Sequence, residues 1–383
     1  MTYRPIGPRC YPRRMERSAQ LFVTGILCTA VLSVLSNRTV AQDSQWPDSA
    51  ASDKSGVQRS AIQAAAGHLS EPSHQVWCPE VFRLSGREPS WAHGFLAQFG
   101  DDSSPGKPNV EVFDHNGTLV SESRIWFAQA LDIRLFDASP SASGGVIASG
   151  NAETKEGNSF FLAKTDGSGA TVSVLQTPTF VTGRVCEASD YSVWALGRDL
   201  DRGSADGHDD SVLRQYSFEK GLLQSYLSRK QLGLRSNVVG GSGPNGSFLV
   251  CGKDHIAIYL NESDEYMEID AARREVKRWK MDMRPLPQSR VTGLAITEDG
   301  HAYASLYGVD AESGKKFHGL FKLQMEPGKP TAQWIAVAGT FNSNREGETL
   351  TKDTFWRLWG AESNELIIGR QYDAEFSWVQ VIQ

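Results

Sequence analysis

The chain is poor in the features that usually announce a chemistry. Its five cysteines form no Cys-x-x-Cys or Cys-x-His pattern, which argues against a cysteine-based metal site. There is no Gly-x-Ser-x-Gly elbow, no phosphate-binding loop and no His-Glu-x-x-His helix, and the eight histidines are scattered without ligand spacing. Positive charge is also short. Lys plus Arg number 39 against 45 Asp plus Glu, a net charge of −6, whereas general nucleic-acid binders carry basic domains. A metal or cofactor is therefore not expected, nor is nucleic acid as a partner.

Only one long apolar run is present, Leu21 to Leu35, and it is too short to span a bilayer comfortably. It follows Arg13, Arg14 and Arg17 and precedes Thr39-Val40-Ala41. That basic, apolar, small-residue order is that of a secretory signal peptide, with cleavage expected after Ala41. Met15-Glu16 behind the arginine pair disfavours a twin-arginine signal. A start at Met15 would give a signal of more ordinary length. Residues 1–41 are thus read as signal and 42–65, rich in Ser, Ala and Gln, as a flexible leader. The remaining 66–383 form the folded domain, secreted or periplasmic, with no membrane association after cleavage. Three cysteines remain, Cys78, Cys186 and Cys251. They cannot all pair internally, and small buried apolar roles are expected for them. Asn37, Asn116, Asn245 and Asn261 head glycosylation sequons.

What the chain has in abundance is turn-punctuated alternation, with 36 glycines and 40% apolar residues. Val291 to Gly328 shows the unit most plainly. VTGLAIT reads as a strand, Glu298-Asp299-Gly300 as a turn, HAYASLYG as a second strand and GLFKLQM as a third, closed by Pro327-Gly328. Second strands recur with terminal glycines at Gly100, Gly150, Gly197, Gly252, Gly308 and Gly369. Third-strand markers Asp114, Asp166, Phe218, Asp270 and Gln324 are spaced by 52, 52, 52 and 54 residues. Fourth strands follow, as TLVSESRI, ATVSVLQT, LLQSYLS, VKRWKMD and TAQWIAV. The last unit stops at its third strand, SWVQVIQ, and residues 67–78 are free to supply its outer strand.

A four-stranded sheet with two apolar faces must cover both, and radial packing around an axis does so. The expected fold is all-β: a six-bladed β-propeller of four-stranded antiparallel blades, its ring closed by an N-terminal strand completing the last blade. The strand–Asp-Gly–strand rhythm of GLAITEDGHAYASLYG resembles the blades of six-bladed propellers of the NHL and TolB-like kinds, over residues 67–383. No Trp-Asp dipeptide closes the third strands, which disfavours WD40, and paired glycines do not recur in phase as in Kelch repeats. Lactonase-type propellers hold a metal with acid and amide side chains at first-strand positions. Here those positions hold arginine, with Asn237 and Asp132 nearby, so the resemblance stops short of the site.

Arginine recurs in each expected first strand, at Arg83, Arg134, Arg184, Arg235, Arg290 and Arg357. First strands line the axis of a propeller, so these guanidiniums are candidate ligands for carboxylate, sulfate or phosphate at the mouth of the channel. The competing expectation is that each clamps a carboxylate or carbonyl of the next blade, with Asp132, Asp190, Asp254 and Asp299 available. Unpaired, such a ring would repel itself. The loop Asp199 to Asp210 gathers carboxylates and His208, yet it departs from the EF-hand order and reads as a solvated hairpin tip. Trp91, Phe355 and Trp356 are expected to pack between blades rather than stack on sugars. The expected function is a monomeric, non-catalytic module binding an anionic small molecule or glycan, or a protein partner. The alternative is a carbohydrate or lactone lyase or hydrolase with its site in the channel.

Overall fold

The computed structural model describes residues 11–12, 69–78, 89–100, 107–200, 211–234, 246–270, 272–282, 289–309, 316–342, 356–370 and 375–382. Their hydrogen-bonded sheets are antiparallel meanders. Strand β1 (Tyr11–Pro12) adds two residue pairs to β2 (His74–Trp77), which is described below with the last sheet. A first sheet holds β3 (Ser90–Ala92), β4 (Phe95–Phe99), β5 (Val110–Phe113) and β6 (Leu119–Ser123). A second holds β7 (Ala130–Pro140), β8 (Val146–Thr154), β9 (Gly157–Thr165) and β10 (Thr171–Gln176). A third holds β11 (Phe180–Glu187), β12 (Val193–Asp199), β13 (Ser211–Ser217) and β14 (Gly221–Ser228), followed by the single turn α1 (Arg229–Leu232). Among the described residues no helix is long and apolar enough to cross a membrane.

Two further meanders follow: β15 (Phe248–Cys251) to β16 (Ile256–Leu260), β17 (Glu265–Asp270) and β18 (Glu275–Met281); then β19 (Arg290–Ile296), β20 (Ala302–Val309), β21 (Lys316–Met325) and β22 (Thr331–Asn342). Their outer strands β18 and β22 join in parallel through Lys280–Thr331 and Met281–Ala332, making one eight-stranded sheet. The chain ends with β23 (Trp356–Glu362), β24 (Glu365–Arg370) and β25 (Glu375–Val379). Strand β2 pairs with β25 from His74–Trp378 to Trp77–Glu375, and a bridge from Leu69 to Val381 extends the junction. Closure by residues near the N-terminus is therefore observed.

The sheets are arranged as a propeller. Inner strands touch in a cycle: β3 with β7, β7 with β11, β11 with β15, β15 with β19, β19 with β23, and β23 with β3. Hydrophobic clusters fill the spaces between neighbours. Trp194, Leu196 and Leu213 meet Ile256, Ile258 and Met267. Val110 and Val112 meet Leu135, Ala148 and Phe161. Trp91 and Phe113 meet Trp359, Phe376 and Trp378 across the closing junction.

The inner strands are shaped by bulges, at Leu135/Asp137 in β7, Thr182/Arg184 in β11, Val291/Gly293 in β19 and Leu358/Gly360 in β23. A bulge bends and twists the strand where it turns along the axis. Glycines within β8 and β12 answer these bends. A Cβ on Gly150 would lie 2.4 Å from the Arg134 carbonyl oxygen, and one on Gly197 would lie 2.1 Å from that of Val181.

Three expectations need correction. Phe248-Leu249-Val250-Cys251, read as a second strand ending at Gly252, is the inner strand β15, and IAIYL at β16 is the second. The alternation is equally good for either assignment, and the long connection before it misled the count. Likewise the described inner strand of the first sheet is β3, whereas the VFRLS segment expected in that place lies outside the described residues. Finally, Cys186 and Cys251 are bonded, with Cα atoms 5.7 Å apart on the adjacent inner strands β11 and β15, and Cys78 is disulfide-bonded as well. Propeller closure brings together residues 65 apart in sequence, which no spacing rule reveals. The sequon at Asn261 is closed to a glycan: this side chain is buried, accepts from the Val291 N–H at 3.1 Å and donates to the Gly246 and Val291 carbonyls.

Closing a loop of this length limits the unfolded chain by about 4 kcal/mol in the chain-entropy description. Replacing both Cys186 and Cys251 by Ser should lower stability by about 2–4 kcal/mol, read as a fall in the denaturant midpoint at constant slope. An unchanged midpoint would mean that packing alone holds β11 to β15.

Candidate functional site

A cavity of about 670 Å³ runs along the propeller axis. It is walled by Ser90 and Trp91 of β3, Asp137 to Ser139 of β7, Arg184 to Glu187 of β11, β15, Arg290 to Ile296 of β19 and Leu358 to Ala361 of β23. It reaches the turns joining first to second strands, where His93, Tyr191 and Lys253 line it. This volume falls within the range of small-molecule sites. Several segments leading into first strands or joining second to third strands, at 79–88, 201–210, 235–245 and 343–355, lie outside the described residues.

The bulges give the inner strands a common register, and it sorts the arginines. Arg134, Arg290 and Arg357 each stand two residues before their bulge and one before its first paired residue is left, so they are equivalent. Arg184 is three residues further along, equivalent to Asp137, Gly293 and Gly360. Arg83 and Arg235 lie outside the described residues. Of the four described, Arg184 and Arg290 line the cavity, Arg134 is exposed, and Arg357 is half-buried and has partners of its own.

The two cavity arginines differ in kind. Arg184 is a clamp. Its Nη1 donates to Asp137 Oδ1 at 3.2 Å on β7, its Nε donates to the Ser247 carbonyl at 3.1 Å just before β15, and its guanidinium lies over the Phe248 ring. Asp137 Oδ2 also accepts from the Val185 N–H at 2.8 Å. One side chain thereby ties three neighbouring inner strands. The partner expected among Asp132, Asp190, Asp254 and Asp299 is instead Asp137. Asp190 and Asp299 are turned to their own hairpins: the Ser192 N–H and hydroxyl donate to Asp190, and the Thr297 hydroxyl and His301 N–H donate to Asp299. Arg290 has no such carboxylate among the described residues; its guanidinium lies 5.5 Å from the Tyr307 ring centroid.

At the turn end the charges are balanced. Glu187, fully buried, accepts from Lys164 Nζ at 2.7 Å and from the Ala142 N–H at 2.8 Å. His93 Nε2 lies 3.2 Å from the Glu187 carbonyl. Lys253 pairs with Glu298 at 2.7 Å, and this hydrogen bond, aided by the carboxylate's charge, raises the lysine pKa above its ordinary value. Lys253 stands at this end because β15 is an inner strand and the turn after it joins a first to a second strand. Asp199, read as one carboxylate of an acidic loop, is bonded to Arg214, while residues 201–210 lie outside the described residues. Trp91 is packed between sheets, edge-on to Trp378 at 5.0 Å, as expected. Phe355 lies outside the described residues. Among the described residues no three His, Cys, Asp or Glu side chains gather as metal ligands.

No known family and no curated protein matches this chain. Solved structures give weak likenesses. An exported protein of unassigned role from Bacteroides fragilis aligns over 83% of this chain and 97% of its own, with TM-score 0.46 and 8% identity. A gluconolactonase from Xanthomonas campestris aligns over 83% and 92%, with TM-score 0.44 and 10% identity. A luciferin-regenerating enzyme aligns over 78% and 91%, with TM-score 0.41 and 11% identity. At this level they assign no activity to this chain.

The contrast between the arginines is testable in the ligand-free protein. Arg184→Gln should lower stability by about 1–3 kcal/mol, since it removes a charged donor from the buried Asp137 and the tie to the Ser247 carbonyl. Arg290→Gln should change it by less than about 0.5 kcal/mol. Equal losses in thermal unfolding would make both arginines staples.

Proposed function

We propose that this protein is an exported six-bladed β-propeller that binds an anionic ligand in its axial channel through Arg290 and performs no chemistry on it. The observation that carries this reading is a half-buried guanidinium, stacked on Tyr307 and facing no carboxylate among the described residues, in the wall of a ligand-sized cavity. Arginine is permanently charged and its planar donors suit carboxylate, sulfate and phosphate. The six-blade count rests on the cycle of inner strands and on dividing the eight-stranded sheet at its two-pair parallel seam. A concave site favours a small molecule or glycan over a protein partner.

The carboxylates of the channel support binding over catalysis. Asp137 is held by Arg184 and a backbone N–H, and Glu187 by Lys164 and a backbone N–H. These bonds hold both carboxylates to the cavity wall, which suits a structural role rather than proton transfer to a ligand. A lyase or hydrolase would need another group at the reacting atoms.

Thermal unfolding of the mature protein with glucuronate, sulfate, phosphate and neutral sugars tests the reading. A ligand present at a hundred times its Kd adds about 2.7 kcal/mol to stability. At least one anion should raise Tm by roughly 5 °C, and Arg290→Gln should remove the shift. A shift that survives Arg290→Gln, or no shift with any anion, defeats it. Export is tested separately by the intact mass of the secreted chain, expected to begin at Gln42. A chain retaining Tyr11 would keep β1 on β2 and refute cleavage at Ala41.

A further inference from the structure

One turn beside the cavity departs from four others that share its hydrogen bonding. In the hairpin joining β7 to β8, the Gly144 N–H donates to the Ser141 carbonyl and the Ser141 N–H to that of Gly145. The same pair of bonds closes the turn between β19 and β20, through Thr297, Gly300 and His301. It also closes the turns after β5 and β9, with Gly117 and Gly169 in the same place. These four glycines have φ between +72° and +86°. The turn between β11 and β12 has identical bonding, from the Tyr191 N–H to the Ala188 carbonyl and from the Ala188 N–H to that of Ser192, yet a tyrosine stands at the glycine position with φ +62°. A left-handed backbone is unfavourable for a bulky residue, and such outliers persist where the side chain has a use.

Tyr191 is 67% exposed, and it lines the cavity where this opens between the first-to-second-strand turns. Its turn is held by the Ser189 hydroxyl, which donates to the Lys253 carbonyl at 3.1 Å, and Lys164 Nζ stands 6.0 Å from its ring centroid. Arg290 is at the other end. Its register equivalent on β11 is Val181, six residues before Glu187, which puts Arg290 about 20 Å from the turn at roughly 3.3 Å per residue. Between them the two carboxylates on the wall are neutralised by Arg184 and Lys164, and Ser139 and Thr292 offer hydroxyls.

We infer that the ligand is a linear oligosaccharide with one acidic terminal residue, which lies along the channel with its acid on Arg290 and a neutral sugar ring against Tyr191. This rests on the anion-binding reading above. The apolar face of a sugar ring packs on an exposed aromatic ring. A polyanion would instead set charges beside Asp137 and Glu187, where no cation is spare among the residues described. A single sugar acid is too short to reach both ends.

Titration calorimetry on the mature protein tests it, using neutral gluco-oligosaccharides that each end in one glucuronic acid, from one to five units long, with the acid-free parents as controls. Affinity should rise about tenfold once the chain spans the channel, and Tyr191→Gly should remove that gain while leaving the single sugar acid unaffected. Tyr191→Gly should also unfold at the same or a higher temperature, because glycine suits the left-handed turn. Arg290→Gln should abolish binding throughout the series. Affinity independent of length, or a length gain kept in Tyr191→Gly, overturns the inference while Arg290-dependent binding of the single acid keeps the anion reading intact. Equal binding of the acid-free parents overturns both. No binding anywhere in the series overturns the inference, and the panel of simple anions then decides the reading beneath it.

Discussion

Everything in this molecule depends on covering both faces of each four-stranded sheet. Strands such as β16, with Ile256 to Leu260 all buried, have no polar face to turn to water. Each sheet must therefore lie between two others, and the only finite arrangement that satisfies every sheet is a ring. Ring closure then dictates the rest. The last meander has three strands, so the junction needs β2, and Val76 enters the same cluster as Phe376 and Trp378. The inner strands converge, so backbones of neighbouring sheets approach closely and glycine is required where Gly293 faces the Leu358 carbonyl oxygen and Gly360 that of Trp91.

Convergence also explains why polar clamps gather at the axis. Apolar clusters hold the sheets farther out, but inner strands are short of side-chain volume to interdigitate. There the ties are directional: Arg184 reaching Asp137 and the Ser247 carbonyl, Lys164 reaching Glu187, and the Cys186–Cys251 bond. Each joins neighbouring sheets, and together they stiffen the cavity wall on the side of β7, β11 and β15. A preorganised wall spends less of its binding energy on ordering side chains when a ligand arrives.

The architecture was legible because turn chemistry and alternation are local. Asp-Gly and Pro-Gly punctuation marked the hairpins of β19 to β22, and the five third-strand markers fall at or beside the ends of β5, β9, β13, β17 and β21. The assignment of FLVC failed where a long connection broke the count, since a short apolar run looks the same in any position of a blade. The arginine pattern was half right for a related reason. Even spacing in sequence counts loop residues as well as strand residues, so it placed Arg184 in line with Arg134, Arg290 and Arg357, whereas the bulges set it three residues deeper. Asp137 was missed because its role depends on facing the next sheet, which no linear distance encodes. Tyr191 had a signal that was not read: in ASDYSV it occupies the place that glycine holds in SASGGV and TEDGHA.

The distribution of charge along the channel is the strongest constraint on what can occupy it. Carboxylates at Asp137 and Glu187 come with their cations, so the middle is close to neutral and gains little from a charged guest. Both cavity arginines lie over an aromatic ring, and of the two Arg290 is the one with no acid beside it among the described residues. A guanidinium that is half removed from water keeps a favourable interaction open to an anion, and the attraction is stronger there than at an exposed surface because the local dielectric is lower. The same argument explains why Arg134, at the equivalent register but exposed, is a poorer candidate: water and salt already screen it. The proposed selectivity for one acid group at one end rests on this asymmetry between chemically identical side chains, set by burial and by what each strand places beside them.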